Sequence, residues 1–117
     1  MREIKFRAFV DGEMRYDIKT IHYTELEQEI YIVEFWHHDS IIRGLNPINL
    51  MQFTGLLDRN GKEIFEGDRV KSPNGLVKVM VFSGGRFGLQ WDENTVVLPV
   101  DLHKWEIIGT VYDKEAI

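Results

Sequence analysis

The chain has 117 residues, of which 44% are hydrophobic and 12% aromatic, and its formal net charge is -5. This length fits one domain, with enough apolar material to fold without a structural metal or a disulfide. The absence of cysteine excludes a disulfide scaffold and any thiolate metal site. The acidic excess is spread along the chain, which disfavours nonspecific binding to nucleic acid.

No apolar run approaches the roughly 20 residues of a membrane span. Charged residues interrupt the N-terminal stretch MREIKFRAF, so that it lacks the apolar core of a signal peptide. We therefore expect a soluble, intracellular protein with no membrane partner.

The first element is a predicted β-hairpin. In residues 3–10, apolar and charged side chains alternate, as in a half-buried strand. Asp11-Gly12 then separates this run from a second one, EMRYDI. An Asp-Gly pair in this position predicts a type I′ turn, in which both central residues need positive φ.

Residues 24–36, TELEQEIYIVEFW, have two interpretations. Thr24 could cap a helix with glutamates in its first turns. From Glu29 onward, the density of β-branched and aromatic residues favours a strand instead. The following residues, 37–49, contain Gly44 and an Asn-Pro pair, and they predict a loop with one short element.

From Leu50 onward, short apolar runs alternate with turn signals such as Asn60-Gly61 and Ser72-Pro73-Asn74-Gly75. Strands at this spacing predict a barrel or sandwich. We expect a mostly-β chain with a small SH3-like barrel from about Met51 to Tyr112. The N-terminal hairpin and the 24–36 segment, as an extra strand or short helix, would pack against it.

The stretch from Leu50 to Val70, LMQFTGLLDRNGKEIFEGDRV, concentrates acidic residues at two turns. A calcium loop starting at Asp58 fails, because Gly61 falls at its position 4 and Lys62 at position 5. The sequence therefore predicts hairpin corners, in which Asp58 and Asp68 accept hydrogen bonds from nearby backbone N–H groups.

Three blocks carry a family resemblance: REIKFRAF, LMQFTGLLDRNGKEIFEGDRV and WEIIGTVYD. In order and spacing they resemble the YopX family of bacteriophage and prophage proteins. The resemblance implies a small, mostly-β phage protein. Together with the strand and turn pattern, it predicts a single domain over 1–117, with a hairpin and variable segment in 1–49 and a β-barrel in 50–117. It also implies a place in the cytoplasm of a bacterial host. It supplies no reaction, cofactor or site residue.

Other candidate sites are weak. His37-His38-Asp39 could bind a metal, but adjacent histidines on a strand point to opposite faces. The chain has no Gly-x-Ser-x-Gly elbow and no phosphate loop. We therefore expect no metal, no cofactor and no enzymatic activity.

One predicted surface could bind nucleic acid. If Val70, Val77, Val79, Phe87, Leu89 and Trp91 point inward, the outward side of the C-terminal sheet carries four cations beside apolar residues. Small barrels bind single strands with such a surface. The predicted basic face consists of Arg69, Lys71, Lys78, Met80, Phe82 and Arg86.

A second predicted surface serves self-association. The 24–36 segment, if it is a strand, is apolar on both faces, and an unpaired edge is a template for another copy. The predicted oligomer interface consists of Ile30, Tyr31, Ile32, Val33, Phe35 and Trp36.

Two functional hypotheses follow. The first is a non-catalytic interaction or self-assembly module that acts during infection or lysogeny as a homo-oligomer or with a host or phage protein. The alternative is a nucleic-acid-binding β-barrel protein that uses the basic face.

Overall fold

The protein was analysed as a computed structural model, which describes residues 4–24, 30–36, 41–45 and 50–113. Over these residues the chain forms twelve strands and one 3₁₀ turn. The prediction of a mostly-β fold is confirmed, and a sheet curls into a half-barrel. The SH3-like strand arrangement stays a prediction. Within the described ranges, no helix is long and apolar enough to cross a lipid bilayer.

The chain divides into two compact units, which are described separately. The N-terminal unit is Lys5–Gln52, and the C-terminal unit takes Ile4 and everything from Phe53 onward. The division falls inside strand β6 (Leu50–Leu57). The sequence predicts the boundary between the N-terminal segment and the barrel at residue 49, just before this strand.

The N-terminal unit begins with a hairpin of β1 (Phe6–Val10) and β2 (Glu13–Arg15). Asp11 has a φ of 50° and Gly12 a φ of 82°, so both central residues are left-handed. The predicted type I′ turn is therefore confirmed. The start of β6 pairs with the other side of β1, where Met51 lies opposite Arg7.

A three-stranded antiparallel sheet completes this unit, in the order β3 (Ile18–Thr24), β4 (Ile30–Phe35), β5 (Ile41–Leu45). The strand interpretation of 24–36 is confirmed for β4. Thr24 ends β3, where it lies opposite Ile30. The helix that Thr24 could cap would begin in residues 25–29, which lie outside the described residues. The short element expected within 37–49 is β5. The core of the unit contains Ala8, Val33 and Phe35.

The C-terminal unit begins with the second part of β6, which pairs with β7 (Glu63–Phe65). The elements that follow are β8 (Asp68–Lys71), β9 (Val77–Ser83), β10 (Arg86–Asp92), β11 (Thr95–Val97), a 3₁₀ turn (Leu102–Lys104) and β12 (Glu106–Thr110). Five of these strands form an antiparallel sheet in the order β11-β10-β9-β8-β12.

Seven buried side chains form the core of this unit: Ile64, Val70, Met80, Phe87, Leu89, Leu102 and Trp105. The sequence correctly predicted that Val70, Phe87 and Leu89 point inward. It was wrong for β9, where Met80 is buried and Val77 is 46% exposed.

The reason is that β9 is apolar on both faces, so its alternation does not identify the inward one. Cross-strand pairing identifies the inward face, because residues directly opposite each other lie on the same face of the sheet. Met80 lies opposite Leu89, and Lys78 lies opposite Val70.

Two hairpin turns share one design. Gly61 donates its N–H to the Asp58 carbonyl, and Gly75 donates to the Ser72 carbonyl, both over 3.0 Å. Each glycine has positive φ, 78° and 94°, as the sequence predicts. Asn60, however, does not have positive φ. The Asn60-Gly61 turn is therefore not type I′, but a longer loop that ends in a left-handed glycine.

Candidate functional site

The Asp58 carboxylate is a structural brace. Asp58 is 4% exposed. Its Oδ1 accepts hydrogen bonds from the N–H groups of Asn60 (2.8 Å) and Lys62 (2.9 Å), and its Oδ2 from that of Ile107 (3.0 Å). Burial would raise the pKa of Asp58, but the bonds from Ile107, Lys62 and Asn60 outweigh it and lower the pKa below its usual value.

The second acidic turn is built in the same way. The Asp68 carboxylate is buried, and its Oδ2 accepts a 2.8 Å hydrogen bond from the N–H of Phe65. Gly67 lies between Phe65 and Asp68 in this turn. Its N–H donates to the Met80 carbonyl, and its carbonyl accepts from the N–H of Val111. Both predicted roles of the acidic residues are confirmed, so this stretch forms two corners of the fold.

Metal ligands do not converge in the part of the chain that the structure describes: no group of three or more His, Asp or Glu side chains there could hold a metal ion. His37, His38 and Asp39 lie outside the described residues.

The predicted basic face is divided between the two sides of the sheet. Lys78, Met80 and Phe82 alternate along β9 on the core side. The other side carries the remaining cations: Arg69, Lys71 and Arg86. The prediction of one outward face with all six residues is therefore wrong.

Two of these cations also make contacts within the protein. Lys78 Nζ lies 4.7 Å from the centroid of the Trp91 ring and donates to the Trp91 carbonyl over 3.3 Å. Arg86 Nη2 donates to the Val96 carbonyl over 3.2 Å. Nucleic-acid binding itself stays an untested hypothesis.

The predicted oligomer interface is also divided. Val33 and Phe35 are buried in the core of the N-terminal unit. A second copy therefore cannot contact them while the unit is folded. Trp36 is 66% exposed, and Lys19 Nζ lies 5.1 Å from its ring centroid.

The side chains of the other three predicted interface residues lie outside the described part of the structure: Ile30, Tyr31 and Ile32. Self-association through this segment stays a prediction.

An apolar groove in the C-terminal unit was not predicted. Its volume is about 460 Å³. It is lined by Gly55, Leu56, Leu57, Leu98, Pro99, Val100, Leu102 and His103. Leu57 and Leu98 are each about half exposed, and Val100 is 100% exposed. These side chains give the C-terminal unit a concave surface that is lined mainly by aliphatic groups.

One wall of the groove is shaped by a β-bulge in β6. The register with β7 shifts between Phe53 and Leu56, and Gly55 has a φ of 85°. The Thr54 hydroxyl holds the bulge, because it donates to the Ile64 carbonyl (2.7 Å) and accepts from the Leu56 N–H (3.1 Å). The bulge thereby sets the direction of the leucines that follow it.

The opposite wall is the segment after β11. The strand ends at Val97, and the carbonyl of Pro99 accepts a 3.2 Å hydrogen bond from the N–H of Leu102. The side chain of Leu102 is buried in the core and anchors the 3₁₀ turn. The sequence signal was the run Leu98-Pro99-Val100, in which two aliphatic residues flank a proline.

Comparisons with known proteins identify a family and a solved structure that match nearly the whole chain. No curated protein matches it. Among solved structures it is similar to the crystal structure of protein EF1440 from Enterococcus faecalis, with a TM-score of 0.63 and 22% identity over 96% of this chain and 95% of that one. At this identity the likeness establishes a shared fold. The sequence profile described as "YopX protein" matches residues 5–116. The chain, whose three blocks span that range, therefore belongs to the YopX family.

Proposed function

We propose that this protein is a non-catalytic interaction module that assembles with copies of itself through the apolar groove. The observation that supports the proposal is the set of exposed aliphatic side chains at the groove, Leu57, Leu98 and Val100. The family resemblance implies that such an assembly acts in the cytoplasm of a bacterial host, during infection or lysogeny.

Apolar burial supplies the driving force. Fully burying an exposed aliphatic side chain stabilises a complex by about 1.5–3 kcal/mol. A symmetric dimer buries Leu57, Leu98 and Val100 of both copies, and the two leucines, which are already half buried, each supply about half of this energy. Association costs about 4 kcal/mol or more in lost translational and rotational freedom. Because the gain exceeds the lower end of this cost by a few kcal/mol, we expect a dissociation constant in the micromolar range or weaker.

Charge favours this surface for contact between two identical acidic chains. Each copy carries a net charge of -5, so two copies repel each other at long range. The lining residues include no carboxylate, and His103 is the one residue among them that can carry a charge. Salt screens the long-range repulsion and leaves apolar contacts intact. Added salt should therefore preserve or strengthen the assembly.

Sedimentation velocity on matched variants tests the proposal. Leu98→Asp places a charge in the groove and should shift the protein to monomer. The control is Leu76→Asp, which changes a leucine of similar exposure outside the groove lining and should leave assembly unchanged. Thermal melts by circular dichroism verify that both variants fold. If both variants assemble like the unaltered chain, the groove is not the contact surface.

A further inference from the structure

A projecting apolar side chain, that of Val100, lies beside the apolar groove. Val100 lines the groove and is nevertheless 100% exposed, so it stands on the rim. Leu102 forms part of the same lining and is buried in the core. The C-terminal unit therefore presents a knob and a concave surface side by side.

This pairing has a simple symmetric solution. In a two-fold interface, each contact between a residue of one copy and a second residue of the other occurs twice. We infer that the protein forms a two-fold dimer in which Val100 of each copy inserts into the groove of the other, against Leu57. This inference rests on the proposed function and specifies its geometry.

The inserting segment is preorganised. Pro99 fixes its own φ near −65°, and its carbonyl is tied to the N–H of Leu102. The segment from Leu98 to Val100 therefore loses little conformational freedom on binding. A preorganised segment lowers the entropic cost of association. The groove volume of about 460 Å³ exceeds that of one valine side chain, so the neighbouring Leu98 also finds room.

A second copy fits the charge pattern better than a charged ligand does. The groove lining offers no acidic group to a basic peptide, and His103 is its one basic group for an acidic peptide. An uncharged aliphatic segment is the complementary occupant, and the chain presents one in Leu98-Pro99-Val100.

Site-directed cross-linking tests the geometry, because the chain has no cysteine of its own. Copies carrying Val100→Cys are mixed with copies carrying Leu57→Cys and exposed to a mild oxidant. We expect a disulfide-linked dimer of one Val100→Cys chain and one Leu57→Cys chain, in preference to either chain linked to its own kind. Mixtures of Val100→Cys with Leu76→Cys are the control and should cross-link poorly.

Truncation of the knob gives a second readout. Val100→Ala should weaken the dimer by about tenfold or more, since two methyl groups per copy lose their contacts. Val100→Ile should retain it. Because Val100 is fully exposed in a single copy, neither change should alter the thermal melt of the monomer.

The outcomes separate the inference from the proposed function. A dimer by sedimentation that shows no Val100–Leu57 cross-link, or that tolerates Val100→Ala, overturns the inserted geometry and leaves self-assembly standing. A protein that stays monomeric and does not cross-link overturns both.

Discussion

The backbone N–H of Ile107 donates a 3.0 Å hydrogen bond to Asp58 Oδ2, which joins the β6–β7 turn to β12 across 49 residues of sequence. Beside it, the N–H of Arg59 donates to the Trp105 carbonyl over 2.8 Å. The turn therefore occupies backbone groups at the start of β12, one of the two outer strands of the five-stranded sheet. Covering an edge in this way prevents pairing with another chain. The other outer strand is β11, and it leads directly into the groove segment.

Asp58→Asn should destabilise the fold by about 1–3 kcal/mol. An amide has one acceptor oxygen, and its NH₂ group would face a backbone donor, so that buried hydrogen-bonding groups lose their partners. Urea denaturation at neutral pH measures the change. The control is Asp92→Asn, because Asp92 is exposed and its carboxylate accepts hydrogen bonds from its own turn, from the N–H of Asn94 and from the backbone and side chain of Thr95. We expect that variant to stay within about 0.5 kcal/mol of the unaltered chain.

The stabilisation from Asp58 should also depend on pH. Its pKa is lower in the folded chain than its usual value, because the backbone hydrogen bonds outweigh the effect of burial. A carboxyl group with a depressed folded pKa stabilises the fold above about pH 4, and this contribution disappears as the pH falls through the folded pKa. The stability gap between the unaltered chain and Asp58→Asn should therefore narrow below about pH 4. A gap that is constant from pH 7 to pH 2 would contradict this assignment.

Gly61→Val should destabilise the fold by roughly 1 kcal/mol or more, because a side chain with a Cβ disfavours the left-handed φ of 78°. A Cβ at this position would meet no atom within 4 Å, so the expected cost comes from the backbone alone. Gly61→Asn should cost less, since asparagine tolerates this conformation. Thermal melts compare the two variants. An unchanged melting temperature for Gly61→Val would contradict the expected cost of a Cβ at a left-handed Gly61.

Chelator treatment should leave the melting temperature unchanged. Both oxygens of Asp58 already accept backbone hydrogen bonds, and the fold has a packed core in each unit. The measurement is a thermal melt with and without EDTA. A drop of several degrees would instead identify His37, His38 or the Asp58 loop as metal ligands.

We expect no binding to single- or double-stranded DNA or RNA below about 10 micromolar at physiological salt. The predicted basic residues do not share one face, and the net charge of -5 repels a polyanion. Fluorescence anisotropy with short labelled oligonucleotides measures this. The competing hypothesis requires a sub-micromolar signal whose log–log salt slope is near −3 for about four phosphate contacts. It also requires that the Lys78→Ala, Arg86→Ala double variant abolish the signal.

The turns could be predicted from the sequence because their causes are local. Asp11-Gly12, Gly61 and Gly75 take left-handed φ since few other residues do so without strain. Asp58 and Asp68 were expected to bind nearby backbone donors, and they do. The bond to Ile107 could not be expected, because its donor lies on a distant strand whose register no local pattern specifies.

The sites were harder to predict because they depend on which face of a strand is buried. In β9, apolar residues occupy successive positions, so alternation gave the wrong inward side for Met80. The groove combines Leu56 and Leu57 with residues about 40 positions further along the chain. Its shape depends on the bulge at Gly55, which nothing in the neighbouring sequence indicates beyond the glycine itself.

Sedimentation equilibrium over a concentration series is the most direct test of self-assembly as the function of this fold. The unaltered chain should pass from monomer to dimer as the concentration rises from low to high micromolar. Raising the salt concentration should preserve or strengthen the dimer, because the proposed contact is apolar and two chains of net charge -5 repel each other. A mass that stays at 13.8 kDa at high micromolar concentration, at both low and high salt, would contradict the account.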